Sequence, residues 1–286
     1  MKKGLKVTER PCAGCDVLKV KLCCLAFMLI LLPVGALSQT RILAVGNSFS
    51  RDAVEQNLWD LAHADHMECI VGNLYIGGCP ISLHVENARK DSAAYEYRRI
   101  GVDGIRVQTD RKRLDEALRE EPWDVVTVQQ VSWASGLPDS YGELPELVAY
   151  IRARVPSSTK ILFHQTWSYA RNSDHGGFKR YDNDQMKMYH AIVDCADKAA
   201  ADNHLQGVIP AGTAVQFARA TSLGDSLNID GFHLNTLGRY VAACTWYEYI
   251  FGRNVKRNTY APNELSKKQI RLARRSAHKA CRKKMK

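Results

Sequence analysis

The chain has 286 residues, of which 45% are hydrophobic and 8% aromatic, and its formal net charge is +10. This length suits one α/β domain of about 200–250 residues with a real core. Residues 1–21 hold six Lys/Arg and two Asp/Glu, and residues 267–286 hold ten Lys/Arg and no acid, so the remaining body carries −4. Because the basicity lies at the two ends, the high pI does not predict a nucleic-acid partner.

Residues 1–38 have the pattern of an export signal. Lysines precede an apolar run from Leu22 to Leu32, and Ala36-Leu37-Ser38 offers a small-x-small cleavage site. The run is shorter than the roughly 20 residues of a membrane span. We therefore predict a cleaved signal peptide, a periplasmic or secreted protein and no stable membrane insertion. An uncleaved anchor is the alternative, because the charged leader is long.

The rest of the chain alternates apolar strand-like runs with amphipathic helices. The strand-like runs lie near residues 41, 69, 125, 160 and 206. The helix candidates are residues 52–62, 114–119, 144–154, 184–203 and 236–251. Repeated βα units predict a parallel sheet between two layers of helices. Residues 87–113 alternate weakly and predict an inserted hairpin, and the Gly- and Asn-rich residues 171–184 predict a loop near the site.

Residues 263–286 are strongly basic, and their apolar face is thin. We expect a solvated, frayed C-terminal tail, because runs of charge are often just that. Adhesion to acidic polymers or anionic lipid is the alternative.

Five cysteines follow residue 38, and they are widely scattered: Cys69, Cys79, Cys195, Cys244 and Cys281. Their odd number and spacing do not form a disulfide framework, although one bridge stays open. The C-x-x-C at Cys12 lies in the leader without a second pair, so it does not predict a metal or redox site.

The first strand ends at Gly46-Asn47-Ser48, directly before a helix. A strand, a tight turn and a helix present a nucleophile at the carboxyl edge of an α/β sheet. The free N–H groups at the start of that helix can stabilise an oxyanion. A serine in this place can equally be a simple helix cap.

Polar and aromatic side chains also follow two later strands. Gln129, Gln130 and Trp133 follow the run near 125, and the segment His164-Gln165-Thr166-Trp167 ends the run near 160. Open α/β sheets bind ligands at this edge. The predicted substrate contacts are therefore Asn47, Trp133, His164, Gln165 and Trp167. A structural, hydrogen-bonding His164 is the alternative.

Asp230 and His233 lie just before the last long helix candidate. A nucleophilic serine needs a base within about 3 Å, and that base needs a group to orient it. On one turn, both side chains can reach the carboxyl edge of the sheet. His233 Nε2 would take the Ser48 proton, and Asp230 would stabilise the imidazolium.

These motifs resemble the SGNH (GDSL) hydrolase superfamily from about residue 41 to residue 252, and the intervening segments are similar to a secreted bacterial branch of it. Gly46-Asn47-Ser48 resembles its G-D-S block, and Asp230-Gly231-Phe232-His233 resembles its D-x-x-H block. The resemblance implies a flavodoxin-like three-layer α/β/α fold for residues 39–262. It also implies ester hydrolysis by a Ser48-His233-Asp230 triad, without a metal or cofactor.

The resemblance further implies an oxyanion hole. The N–H of Ser48 and the N–H of Gly78, which matches the second-block glycine, are two donors. The third-block Gly-x-Asn is absent, and Gln130 stands in that segment with an amide that can donate. We therefore predict Gln130 as the third donor. Asn47 stands where the family usually has Asp.

We predict a serine esterase that cleaves acyl esters, above all O-acetyl esters on carbohydrate, with a small-molecule or polysaccharide substrate. Aromatic side chains at the strand ends suit stacking on sugar rings. A lipid or aryl esterase is the alternative within the enzyme class. A non-catalytic carbohydrate-binding protein on the same fold is the alternative outside it, and the altered oxyanion block motivates it.

Overall fold

The computed structural model describes residues 1, 4 and 39–285, so apart from its positions 1 and 4 the predicted signal peptide lies outside the described residues. The described strands are β1 (Thr40–Gly46), β2 (Cys69–Tyr75), β3 (Tyr95–Ile100), β4 (Arg106–Lys112), β5 (Val125–Val128), β6 (Lys160–His164) and β7 (Val208–Ile209). The described α-helices are α1 (Ser48–Val54), α2 (Leu58–Ala64), α3 (Ile81–Arg89), α4 (Leu114–Glu120), α5 (Leu144–Arg152), α6 (Gln185–Asp202), α7 (Ala211–Arg219), α8 (Thr236–Phe251) and α9 (Lys267–Lys284).

The seven strands form one sheet in the order β4-β3-β2-β1-β5-β6-β7. Strands β2, β1, β5, β6 and β7 are parallel, whereas β3 and β4 add an antiparallel hairpin at the β2 edge. Counted along the chain, the five parallel strands have the order 2-1-3-4-5, which is the flavodoxin-like order. The predicted fold class, a mostly parallel sheet within three α/β/α layers, is confirmed.

Both faces of the central parallel strands are buried, whereas the edge strand β4 is exposed. Ile42 and Ala44 of β1 belong to one core with α1, α2, α7, α8 and α9, and Leu43 and Val45 belong to the other core with α3, α4 and α5. Helix α6 contributes to both cores. A strand that is buried on both faces needs apolar residues at every position, which explains the continuous apolar runs of the sequence.

Two predicted elements differ in detail. The single helix predicted at 52–62 is broken into α1 and α2, and at the break the side chain of Asn57 accepts a hydrogen bond from the Tyr260 hydroxyl (3.1 Å). The hairpin predicted at 87–113 is confirmed for β3 and β4, but its beginning is the last turn of α3, which was not predicted. The five cysteines after residue 38 are buried and free, so the one disulfide left open is not formed.

The C-terminal segment is not a frayed tail, and that expectation was wrong. Ala273, Ala277 and Ala280 of α9 are completely buried in the core shared with α7 and α8. His278 Nδ1 also lies 2.6 Å from Glu248 of α8. Alanines make a thin apolar face, but they let helices pack closely, so the domain extends through α9. Within residues 39–285, no helix is long and apolar enough to span a bilayer.

We expect Ala277→Asp to lower the free energy of unfolding by at least about 3 kcal/mol, because it buries an unpaired charge between α9 and its neighbours. Urea unfolding measures the change. Arg271→Ala, on the exposed face of the same helix, is the matched control and should stay within about 0.5 kcal/mol of wild type. Equal stability of the two variants would contradict the packed position of α9.

Candidate active site

A cavity of about 230 Å³ opens at the carboxyl ends of β1, β2 and β5. Its lining includes Ser48, Gly78, Trp133 and His233, four of the residues singled out from the sequence. The strand order reverses between β1 and β5, since β1 is followed by β2 on one side while β5 lies on the other. Flavodoxin-like sheets bind ligands at such a switch point, so the cavity is the candidate active site.

Ser48 is the first residue of α1, and the cap of that helix is its neighbour Asn47. The Asn47 side-chain oxygen accepts from the N–H of Phe49 (3.0 Å), and its Nδ2 donates to the carbonyl of Cys79 (3.0 Å). The capping role considered for Ser48 is therefore filled by Asn47. Ser48 lines the cavity instead, and Asn47 ties its turn to the turn that carries Gly78.

Asp230 orients His233 through three contacts. Asp230 Oδ2 lies 2.7 Å from His233 Nδ1, and Oδ1 accepts from the N–H groups of Phe232 (3.1 Å) and His233 (2.7 Å). Burial raises the pKa of Asp230, but hydrogen bonds from the side chain and backbone of His233 outweigh it and hold the pKa below its ordinary value. The pair therefore leaves His233 Nε2 as the ring nitrogen not engaged by Asp230. Among the described residues, no hydrogen bond joins His233 Nε2 to Ser48 Oγ, although both residues line the cavity. Catalytic hydrogen bonds often tighten only when substrate is bound.

Asp52 fastens the His233 loop to the helix that begins with Ser48. Its buried carboxylate accepts from the N–H of Leu234 (2.7 Å) and from Arg239 Nε (3.1 Å). Burial raises the pKa of Asp52, and the Arg239 charge and the Leu234 N–H only partly oppose that shift. The local sequence pattern does not indicate this role, because Asp52 resembles an ordinary residue of an amphipathic helix.

Trp167 forms a second clamp between the same elements. Its ring stacks on Phe49 of α1 with centroids 4.2 Å apart, and its Nε1 donates to the carbonyl of Phe232 (2.8 Å). Trp167 is fully buried. The predicted contact of Trp167 with substrate is corrected, because the ring supports the site from inside the core.

His164 and Gln165 also lie in the core, which corrects their predicted substrate contacts. Burial lowers the pKa of His164 to about 3, and His164 Nδ1 pairs with Gln129 Oε1 (2.8 Å). Gln129 Nε2 donates in turn to Asn47 Oδ1 (2.7 Å), so this buried chain supports the turn before Ser48. Gln165 accepts from the N–H of Thr213 (2.9 Å). The structural alternative considered for His164 fits this geometry.

The structure argues against Gln130 as an oxyanion donor. Its Nε2 donates to the carbonyl (2.7 Å) and hydroxyl (3.1 Å) of Ser140, and its Oε1 accepts from the N–H groups of Ile81 and Val131. Gln130 is buried and satisfies backbone groups of the turn after β5, which would otherwise be left unpaired. Its amide is therefore committed to the turn.

Gly78, whose N–H is the second predicted oxyanion donor, lines the cavity. Its φ of +63° is in the left-handed region that favours glycine, and a Cβ built there would meet no atom within 4 Å. The glycine is thus required by the backbone conformation and not by crowding. The turn lies exposed beside the cavity, where a backbone N–H can meet a ligand.

Seven lining residues were not among the predicted site residues: Arg51, Tyr75, Gly77, Val131, Ser132, His175 and Phe232. His175 comes from the loop that was predicted near the site, and its ring packs on Phe232 with centroids 4.8 Å apart. Burial lowers the pKa of His175, and the nearby His233 lowers it further. Arg51 could have been found from the sequence, because it lies three residues after Ser48 and so on the same face of the helix.

Comparison with known proteins agrees with the extent of this domain. Residues 41–280 match the model of the family DUF4886, described as a domain of unknown function. A DUF4886 family protein from Bacteroides uniformis is 48% identical, with a TM-score of 0.84 over 85% of this chain and 94% of its own. No curated protein sequence matches the chain.

Two enzymes show a weaker structural likeness. LAE5, an alpha/beta hydrolase from the metagenome of Lake Arreo, is 13% identical with a TM-score of 0.49 over 72% of this chain and 93% of its own. Axe2, an acetylxylan esterase from Geobacillus stearothermophilus, is 12% identical, with a TM-score of 0.48 over 72% of this chain and 92% of its own. The strand order is flavodoxin-like, and the resemblance to the SGNH hydrolase superfamily rests on the two motifs rather than on these scores.

We expect the stability of the protein to fall as the pH drops from about 6.5 towards 3, in part because of His164. Its folded pKa of about 3 lies below its ordinary value of 6.5, so the unfolded chain binds the proton first and unfolding is favoured at acid pH. This histidine contributes a slope of up to about 1.4 kcal/mol per pH unit in that window.

Urea unfolding at pH 7, 6, 5 and 4 measures this slope. His164→Gln should have a shallower dependence on pH than wild type, whatever its absolute stability. His190→Gln, at an exposed position on α6, is the matched control and should keep the slope of wild type. Identical slopes for all three proteins would contradict a buried, neutral His164.

Proposed function

The chain belongs to the DUF4886 family, and we propose that it is a serine esterase with Ser48 as nucleophile, His233 as base and Asp230 as the orienting carboxylate. One observation carries the proposal: Ser48 and His233 line the same cavity, while Asp230 holds the remote ring nitrogen of His233 at 2.7 Å. These are the three groups that nucleophilic serine chemistry requires, and the proposal is that the contact between Ser48 Oγ and His233 Nε2 forms when substrate binds.

In the proposed reaction, Ser48 Oγ attacks the ester carbonyl carbon and His233 Nε2 takes the hydroxyl proton. The imidazolium then gives this proton to the leaving alcohol as the C–O bond breaks, which leaves an acyl-serine. Water attacks the acyl group with His233 again as base, and the carboxylic acid and free Ser48 are released. Asp230 stays ionised throughout and stabilises the imidazolium.

The N–H groups of Ser48 and Gly78 are the proposed oxyanion donors. Both belong to turns at the cavity, and Asn47 holds the two turns together. Gln130 is not part of this proposal, since its amide is bound to Ser140. Loss of one donor costs about 2.7–4 kcal/mol of barrier in comparable sites, so we expect modest turnover of unactivated esters.

The proposed substrate is a carbohydrate with a short acyl group, most simply acetate. The cavity of about 230 Å³ is smaller than the 300–1,000 Å³ that drug-sized ligands occupy, which favours a short acyl group over a lipid chain. Trp133 is half-buried on the cavity wall, where an indole face can stack on a sugar ring. The predicted export would place the enzyme where such polymers are found.

We expect Ser48→Ala to lower kcat for p-nitrophenyl acetate at least 1,000-fold, since it removes the nucleophile. Asp230→Asn should cost on the order of 10⁴-fold, because the wrong ring nitrogen of His233 then carries the proton. Hydrolysis is followed by p-nitrophenolate absorbance. Ser226→Ala is the matched control, because this serine is exposed and does not line the cavity.

Full activity of Ser48→Ala would overturn the proposal. Binding of acetylated glycan without turnover by wild type, unchanged in Ser48→Ala, would instead support the non-catalytic binding protein. The observation that favours this second candidate function is the altered oxyanion site, in which the Gln130 amide is bound to Ser140.

We expect Trp133→Ala to raise KM for an acetylated oligosaccharide about fivefold, since a lost stacking contact is worth roughly 1 kcal/mol. Its KM for p-nitrophenyl acetate should change less than twofold. Acetate release gives the first value and absorbance gives the second. An equal change for both substrates would contradict a sugar-stacking role.

A further inference from the structure

We propose that the substrate is anionic and that Arg51 binds its carboxylate, as found on a uronic acid, beside the ester that Ser48 attacks. This inference rests on the esterase proposal, and it adds the charge of the substrate. It begins from position: Arg51 lies one turn after Ser48 on α1, and both side chains line the same cavity. The Arg51 side chain is 31% exposed, so a ligand can reach it.

The nearest carboxylate to Arg51 is already committed elsewhere. Arg51 lies 3.5 Å from Asp52 Oδ1, but that oxygen accepts a shorter bond from Arg239 Nε (3.1 Å). The other oxygen of Asp52 accepts from the N–H of Leu234. Within residues 39–285, Arg51 forms no second ion pair. Most of its five N–H donors are therefore left for a ligand.

The charge balance of the cavity points the same way. Among its described lining residues, Arg51 is the one with a permanent charge, and no carboxylate lines the wall. During the proposed reaction His233 becomes a cation in the same cavity, and a neighbouring like charge opposes that step. A carboxylate on the substrate would neutralise Arg51 and remove this opposition.

The geometry of the ligand follows from the guanidinium group. Arginine binds a carboxylate with two parallel hydrogen bonds, which fixes the orientation as well as the charge. One arginine matches the single negative charge of a carboxylate, whereas a phosphate dianion would remain undercompensated. On a uronic acid, the carboxylate and an O-acetyl group are carried by the same sugar ring, so one residue can fill both subsites.

The test uses O-acetylated oligogalacturonate and the same oligosaccharide with its carboxyl groups methyl-esterified, and it measures acetate release from each. Wild type should prefer the acidic form by about 10- to 100-fold in kcat/KM, the range for a hydrogen bond to a charged group. Arg51→Gln should lose this preference, because its kcat/KM on the acidic form should fall to that on the neutral form, mainly through KM.

Two further variants separate a local contact from general charge effects. Arg51→Lys keeps the charge but not the paired hydrogen bonds, so it should recover only part of the preference. Arg271→Gln makes the same charge change at an exposed position that lines a different cavity, and it should keep the full preference. Thermal unfolding of each variant confirms that it is folded.

Equal rates on both oligosaccharides, or an equal loss on both in Arg51→Gln, would overturn the inference while leaving the esterase in place. Acetate release by Ser48→Ala would overturn the esterase itself. If only p-nitrophenyl acetate is cleaved, competitive inhibition by galacturonate in wild type but not in Arg51→Gln supports the inference. Inhibition by galactose 6-sulfate but not by galacturonate would overturn the choice of carboxylate.

Discussion

The candidate site depends on one buried carboxylate. Asp52 belongs to the helix that Ser48 begins, and it accepts the N–H of Leu234, a residue 182 positions away that directly follows His233. Arg239 of α8 neutralises the same carboxylate. Loss of such a partner typically costs about 3–5 kcal/mol, because the other charge is left buried and unpaired. Ser48 and His233, the proposed nucleophile and base, which are far apart in the sequence, therefore share one support.

A second support runs beneath the site as a chain of polar side chains. His164, Gln129 and Asn47 are joined by hydrogen bonds of 2.8 and 2.7 Å, and Asn47 caps the helix of Ser48. These pairings tie the turn before Ser48 to the core, although His164 Nε2 is buried without a partner among the described residues, which weakens the network. Polar residues at strand ends thus support the turn before Ser48 from inside the core.

Local pattern was enough to predict the sheet, its parallel strands and the two motifs, because each has a short-range sequence signature. The pattern could not show which polar residues reach the cavity. Gln130 and Trp167 stand in the expected segment, yet Ser140 and Phe232 occupy their donors. The packing of α9 was missed for a related reason, since three alanines look too small to make a core until α7 and α8 are placed against them.

The hydrogen bond of the Gln130 amide to Ser140 and the exposure of Arg51 both bear on how the proposed site would stabilise a transition state. With two backbone donors in place of three, the proposed site holds the oxyanion less strongly. Binding energy from a group remote from the reacting carbonyl can compensate, provided that it orients the ester for attack. A carboxylate held by Arg51 would do this within one helical turn of Ser48, on a helix already fixed by Asp52 and Asn47. A cavity with few oxyanion donors would thereby favour substrates that carry their own charged anchor.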